Sequence, residues 1–235
     1  MHNPFWCKYF GIKIENVKKY NTRLLKRFDI INKFSEHELN LISIYIGTKP
    51  MQNFNLADIQ TYLTTGQITY DRIDNTSKII KKTAKQIYSI VKKTLSAKEE
   101  RYNLFINELS ALITRHQKTI MYNLYRCMDI GYDSNTINTF SSWSMIPLPG
   151  FCETGGIVHL YKLTGGCKGL YIETNNTDET WPDFYNYEVI LAPGVEFVEY
   201  KTETINKISY AYIYGKKYDD ETDADVIIIH YIKLR

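Results

Sequence analysis

The stretch Glu188-Val189-Ile190-Leu191-Ala192-Pro193-Gly194-Val195-Glu196-Phe197 decides how this chain reads. A carboxylate opens a short apolar run with the length and β-branched content of a buried strand. Pro-Gly then imposes a turn, since proline presets φ and glycine accepts the left-handed conformation that follows. Val-Glu-Phe begins a second strand. A glutamate in this place either opens a strand edge beside a ligand or faces water in a hairpin.

Outward from that stretch the C-terminal half reads as β. Alternating apolar and polar residues predict strands around 137–145, 156–163, 168–174, 187–191, 195–202, 207–214 and 225–234, punctuated by Gly131, Gly155-Gly156, Gly165-Gly166 and Gly215. Just before them, Ile120, Tyr122, Leu124 and Arg126 fall on one face of an extended segment.

The N-terminal half has helical spacing instead. Residues 12–32 read as an amphipathic helix. Ser35 followed by Glu38 is a capping box, with Phe34 and Leu39 as its flanking staple. Leu39, Ile42, Tyr45 and Ile46 then recur on one side, up to Gly47. Asn55 and Asp58 open a short helix closed by Gly66. A lysine-rich helix is expected from Thr76 or Ser77, with Ile79, Ile80, Ala84, Ile87 and Val91 inward. Ser96 and Glu99 repeat the capping-box pattern and predict a new helix to about Thr114, with Phe105, Leu109, Leu112 and Ile113 as its core. Helices first and strands later argue for an α+β fold with a largely antiparallel sheet. The expected organisation is one domain over 1–235, with 1–33 as an N-terminal helical extension.

Composition narrows the function classes. The chain has 235 residues, 44% of them hydrophobic and 20 of them tyrosines, which suits a globular protein. No apolar run reaches the roughly 18–20 residues that span a bilayer. The opening Met1-His2-Asn3-Pro4-Phe5-Trp6 lacks the basic-then-apolar order of a signal peptide, so a cytoplasmic, membrane-free monomer is expected. Cys7, Cys127, Cys152 and Cys167 form no CxxC pair and the five His are scattered, so no metal is expected. Reduced thiols are the default, with a Cys152–Cys167 pair across a hairpin as the alternative. Phosphate-loop, dinucleotide-binding and esterase-elbow motifs are absent. Charge is asymmetric: residues 1–131 carry 21 basic against 11 acidic side chains, and residues 132–235 carry 8 against 15. A basic half suits an anionic ligand or simply a solvated face.

Three separated stretches carry chemistry: Leu124-Tyr125-Arg126, Phe140-Ser141-Ser142-Trp143-Ser144, and Asn186-Tyr187-Glu188 with the apolar run behind it. Arginine offers a rigid fork of donors that matches a diphosphate. A serine hydroxyl can orient a carboxylate. A carboxylate stabilises positive charge developing on a sugar as a glycosidic bond breaks. In this order, on three separate strands, they resemble the arginine–serine–glutamate, toxin-like class of mono-ADP-ribosyltransferases. The helix from Glu38 to Tyr45-Ile46-Gly47-Thr48, followed by Asn55 and Leu63, resembles that family's layout too, and the match covers about residues 35–200.

The resemblance implies two small perpendicular sheets around an NAD cleft. It implies cleavage of the nicotinamide–ribose bond and transfer of ADP-ribose to a protein acceptor, a glycosyltransferase reaction with NAD as co-substrate. Arg126, Ser142 and Glu188 would be catalytic. Arg126, Cys127, Ser142, Ser144 and Glu188 would line the NAD site. Asn186, Trp181, Phe184 and Tyr185 would meet the acceptor. Cys127 stands where the family often has Gly, Trp143 replaces Thr, and Asn186 replaces Glu or Gln. Three other readings stay open: an NAD glycohydrolase, a transferase acting on nucleic acid, and an inactive interaction module. The resemblance places the chain in the cytoplasm where it is made, or in a host cytoplasm if it is viral or an injected effector.

Overall fold

The computed structural model describes residues 4–13, 15–20, 34–45, 56–68, 84–128, 131–147, 156–172, 188–206 and 226–235. The chain divides into two compact units, one of residues 1–33 with 113–235 and the other of 34–112.

The 34–112 unit is helical: α3 (Glu36–Tyr45), α4 (Leu56–Thr65) and most of α5 (Ala84–His116). The capping box at α3 is closed in both directions. Glu38 N–H donates to Ser35 Oγ at 3.3 Å, and Ser35 N–H donates to Glu38 Oε2 at 2.8 Å. The buried face of α3 is Glu38, Leu41, Ile42 and Tyr45, so it lies one step round from the expected stripe, and Leu39 is exposed. Gly66 N–H bonds to the Tyr62 carbonyl at 2.8 Å and ends α4 as expected. The helix start expected at Ser96 does not occur, because α5 runs unbroken through it. Nothing between Ala84 and His116 is Gly or Pro, so no residue there stops a helix. Tyr102, Phe105, Leu109, Leu112 and Ile113 are buried positions of α5, and Asp58 of α4 accepts from Tyr102 Oη at 3.4 Å.

Among the described residues, the other unit holds α1 (Pro4–Tyr9), a helical segment α2 over residues 15–20, and nine strands. These are β1 (Lys118–Ile120), β2 (Leu124–Met128), β3 (Thr136–Ile137), β4 (Ser141–Ser144), β5 (Ile157–Thr164), β6 (Cys167–Ile172), β7 (Glu188–Leu191), β8 (Val195–Asn206) and β9 (Val226–Leu234). The segment expected as one strand through Ile120 and Arg126 is broken at 121–123 into β1 and β2. The strand expected at 207–214, Cys152, and most of the helix expected over 12–32 lie outside the described residues.

The expected two-sheet core is corrected to a single mixed sheet in the order β1-β6-β7-β4-β2-β5-β9-β8-β3. All neighbours are antiparallel except β5 with β9. Continuity is thinnest between β2 and β4, which share one register pair, Tyr125 opposite Ser144. Short links make this sheet curl. A flat sheet would put β5 and β6 four strand spacings apart, roughly 19 Å. The three peptide steps from Thr164 to Cys167 reach about 11 Å at most. The links β3–β4 and β7–β8 would each have to cross five spacings with four steps. All three links join the β1-β6-β7-β4 half to the β2-β5-β9-β8-β3 half, so the halves fold toward each other. Gly166, in the β5–β6 link, has φ +80°, and a Cβ there would lie 2.8 Å from the Ile120 carbonyl oxygen.

The core records the curl. Ile120, Leu124, Ile137, Trp143, Tyr161, Leu163, Tyr171, Val189, Leu191, Phe197 and Ile232 belong to one buried cluster, and every strand contributes to it. A second cluster, of Tyr125, Val158, Leu160, Ile205, Ile227 and Ile229, packs with Tyr9 and Phe10.

Candidate functional site

Arg126 sits in β2, directly opposite Tyr161 of β5. Aligned residues share a face, so the arginine lies on the side of Tyr161. Its Nη1 donates to the Ser142 carbonyl oxygen at 3.0 Å, which ties β2 to β4 where their pairing is sparse. Arg126 Nε is buried and has no hydrogen-bond partner among the described residues.

In β4 the side chains alternate. Ser141 and Trp143 are buried, while Ser142 and Ser144 are half-buried on the other face. Trp143 is 1% exposed, and its indole N–H donates to Ser141 Oγ at 2.9 Å. The tryptophan therefore belongs to the core and not to the Ser142 face. Ser144 Oγ accepts from Ile146 N–H at 3.1 Å and turns the chain out of the strand.

Glu188 opens β7 opposite Ser144, with Ser142 one diagonal step away. Its carboxyl and the Ser142 side chain are hydrogen-bonded. Burial pushes the Glu188 carboxyl above the usual carboxylate range, and the Ser142 bond and the Arg126 charge pull it back. A guanidinium, a hydroxyl and a half-buried carboxyl thus converge from three strands that are far apart in sequence. Such a set can hold an anion and, beside it, stabilise a developing cation.

Other expected site residues fall elsewhere. Cys127 lies opposite Leu160 and packs with the Tyr125 cluster, on the face turned away from Arg126. Asn186, Trp181, Phe184 and Tyr185 lie outside the described residues. Among the described residues no group of three or more His, Cys, Asp or Glu could hold a metal ion, and no helix is long and apolar enough to cross a membrane.

Residue spacing carries no signal for the surroundings of Arg126. Tyr132 lies against Tyr161 with ring centroids 4.8 Å apart, and its N–H donates to Tyr161 Oη at 2.9 Å. Tyr161 in turn stacks on His230 at 4.4 Å. His230 Nδ1 is 2.5 Å from Glu199 Oε2, and His230 Nε2 is 2.9 Å from His159 Nδ1. These contacts depend on strand register, which residue spacing along the chain does not disclose.

No protein-family model matches this sequence, and no curated protein matches it. Solved structures do. The ADP-ribosylating toxin BECa of a binary enterotoxin of C. perfringens, solved with NADH, superposes with a TM-score of 0.57 at 15% identity, covering 93% of this chain and 48% of that one. The enzymatic component C2-I of the C2 toxin from Clostridium botulinum gives 0.50 at 14% identity, covering 90% and 47%. This chain spans about half the length of either toxin chain, and what it shares with them is the fold of ADP-ribosylating toxins.

Proposed function

We propose that this chain is a mono-ADP-ribosyltransferase of the arginine–serine–glutamate class that uses NAD and modifies a protein acceptor. The observation that carries the reading is the convergence of Arg126, Ser142 and Glu188 within a fold shared with ADP-ribosylating toxins. The buried Arg126 Nε, without a partner among the described residues, fits a ligand that brings oxyanions. Arg126 would hold the NAD diphosphate. Ser142 would orient the Glu188 carboxyl, and Ser144 would line the nicotinamide end. As the nicotinamide–ribose bond breaks, its electron pair leaves with nicotinamide. The ionised Glu188 carboxylate then stabilises the positive charge left on the ribose until the acceptor attacks. Cys127 would take part through its backbone alone, since its side chain faces away. Asn186, Trp181, Phe184 and Tyr185 remain the proposed acceptor contacts.

The test is incubation with NAD labelled in its ADP-ribose part and a cell lysate, following nicotinamide release and the fate of the label. Label on protein supports the reading. Label on nucleic acid, or as free ADP-ribose only, replaces the acceptor. No turnover and no NAD binding removes it. Glu188→Gln should lower the release rate by about 10²–10³-fold.

A further inference from the structure

Arg126 Nε and Tyr132 Oη are both buried, and neither has a hydrogen-bond partner among the described residues. Buried polar atoms without a partner are rare in native proteins, and each calls for an explanation. These two share a neighbour. Tyr161 faces Arg126 across the β2–β5 pairing, and Tyr132 bonds to Tyr161 through its backbone and packs on its ring.

The position of Tyr132 is fixed from three sides. Its ring lies 4.8 Å from that of Tyr161 and 5.7 Å from that of Phe197. Its N–H is taken by Tyr161 Oη at 2.9 Å. The preceding Gly131 runs so close that a Cβ there would lie 3.0 Å from both Tyr161 Oη and His159 Nδ1. The hydroxyl is thus set in place before any ligand arrives, as a recognition group should be. Burial raises the phenol above its ordinary range, and the Arg126 charge opposes that rise, so at neutral pH the group keeps its proton and donates.

Arg126 Nε–H can only donate, and Tyr132 O–H is a donor beside the same positive charge. A phosphate, with several acceptor oxygens and negative charge, meets both needs. We infer that Tyr132 is a ligand-binding residue that donates its phenolic hydrogen to the diphosphate for which Arg126 supplies the charge. The identity of that diphosphate as NAD's rests on the proposed function; the anion site itself does not.

Calorimetric titration of the wild-type chain and of Tyr132→Phe, each with NAD and with inorganic pyrophosphate, tests this, together with melting of the ligand-free proteins. Tyr132→Phe keeps the ring and removes only the hydroxyl. NAD affinity should fall roughly tenfold, the scale of a hydrogen bond to a charged group. The ligand-free melting temperature should not fall, because the lost hydroxyl had no partner. Equal NAD affinity in the two proteins overturns the role of Tyr132 and leaves the proposed function standing. If the wild type binds pyrophosphate but not NAD, and Tyr132→Phe weakens that binding, the proposed function fails and the anion site stands. If the wild type binds neither ligand, both fail.

Discussion

Glu188 and Glu199 are both held by hydrogen bonds on one sheet, yet their surroundings push them in opposite directions. Glu188 is half-buried, bonded to Ser142 and influenced by Arg126, and burial raises its carboxyl. Glu199 is exposed. Against the upward push of burial, bonds from Thr202 Oγ1 at 2.7 Å and from His230 hold its carboxyl below the usual range. The two lie near each other in register: Arg126, Tyr161, His230 and Thr202 are successive cross-strand partners over β2, β5, β9 and β8. Tyr161 stands between a polar cluster that satisfies itself and one that does not. A satisfied network mainly stabilises the fold, whereas an under-satisfied one keeps capacity for a ligand. Under the proposed function, the difference between the glutamates gives chemistry to Glu188 and architecture to Glu199.

Exchanging the two carboxyls for amides should break that symmetry most visibly. Glu188→Gln is expected to lose NAD cleavage by about 10²–10³-fold. Its melting temperature at pH 7 should hold or rise. A carboxyl raised on folding resists ionisation in the native state, and the amide removes that penalty. Glu199→Gln should cleave NAD within a few-fold of wild type and lose about 0.5–1 kcal/mol of stability, the range of a partly exposed charged pair. That is about 2 °C for a chain of this size. Parallel rate and melting measurements decide. Loss of activity in Glu199→Gln with activity kept in Glu188→Gln would invert the assignment.

A smaller effect sharpens the description of Glu188 itself. The Ser142 bond holds its carboxyl down against burial, so Ser142→Ala should move the acid limb of the pH–rate profile to higher pH. On the plateau above the acid limb of each profile, the rate should fall only about fivefold, the worth of one hydrogen bond. If the limb stays in place, Ser142 does not govern the ionisation of Glu188.

How much of this could be read along the chain depends on the range of the interaction. The α3 capping box is a contact between residues three apart, and Ser35 with Glu38 announced it. The strand at Glu188–Leu191 and the turn after it were also local. Ser96 and Glu99 carry the same letters as a capping box but sit inside α5, because the chain before Ser96 offers no reason to stop. Sheet order was hidden. Gly165-Gly166 and Pro193-Gly194 look like hairpin turns, yet β5 is no neighbour of β6, nor β7 of β8. A tight turn fixes that the chain bends, not which strand it will pair with. Arg126, Ser142 and Glu188 stand out along the chain because their residue types and order carry a pattern. Tyr132 carries no such pattern: its mark is a hydroxyl without a partner among the described residues, which only the folded chain can show.

The smallest expected effect probes the satisfied cluster in acid. With Glu199 ionised, His230 Nδ1–H must be the donor to its carboxylate, since a carboxylate only accepts. His230 Nε2 then accepts from His159 Nδ1–H, with one proton between the two facing nitrogens. A proton on each of the two facing nitrogens would place two donors face to face. Burial first, and the His230 charge second, lower His159 below its ordinary value. The sign follows from proton uptake. Near pH 6.5 and just below, the unfolded chain takes up a proton at His159 more readily than the folded one. The contribution to stability is therefore fully present above about pH 6.5 and is lost as pH falls through that value toward the lower folded one. Glu199, held down in the fold, adds a second loss below about pH 4.3, the ordinary glutamate value. His159→Phe keeps a ring beside His230 and removes the titration. It should melt lower than wild type at pH 8, where the hydrogen bond is lost, and the gap should narrow by pH 5.5. Melting curves from pH 8 to 5.5 measure that gap, and one that stays constant over the range would show that His159 does not titrate differently on folding.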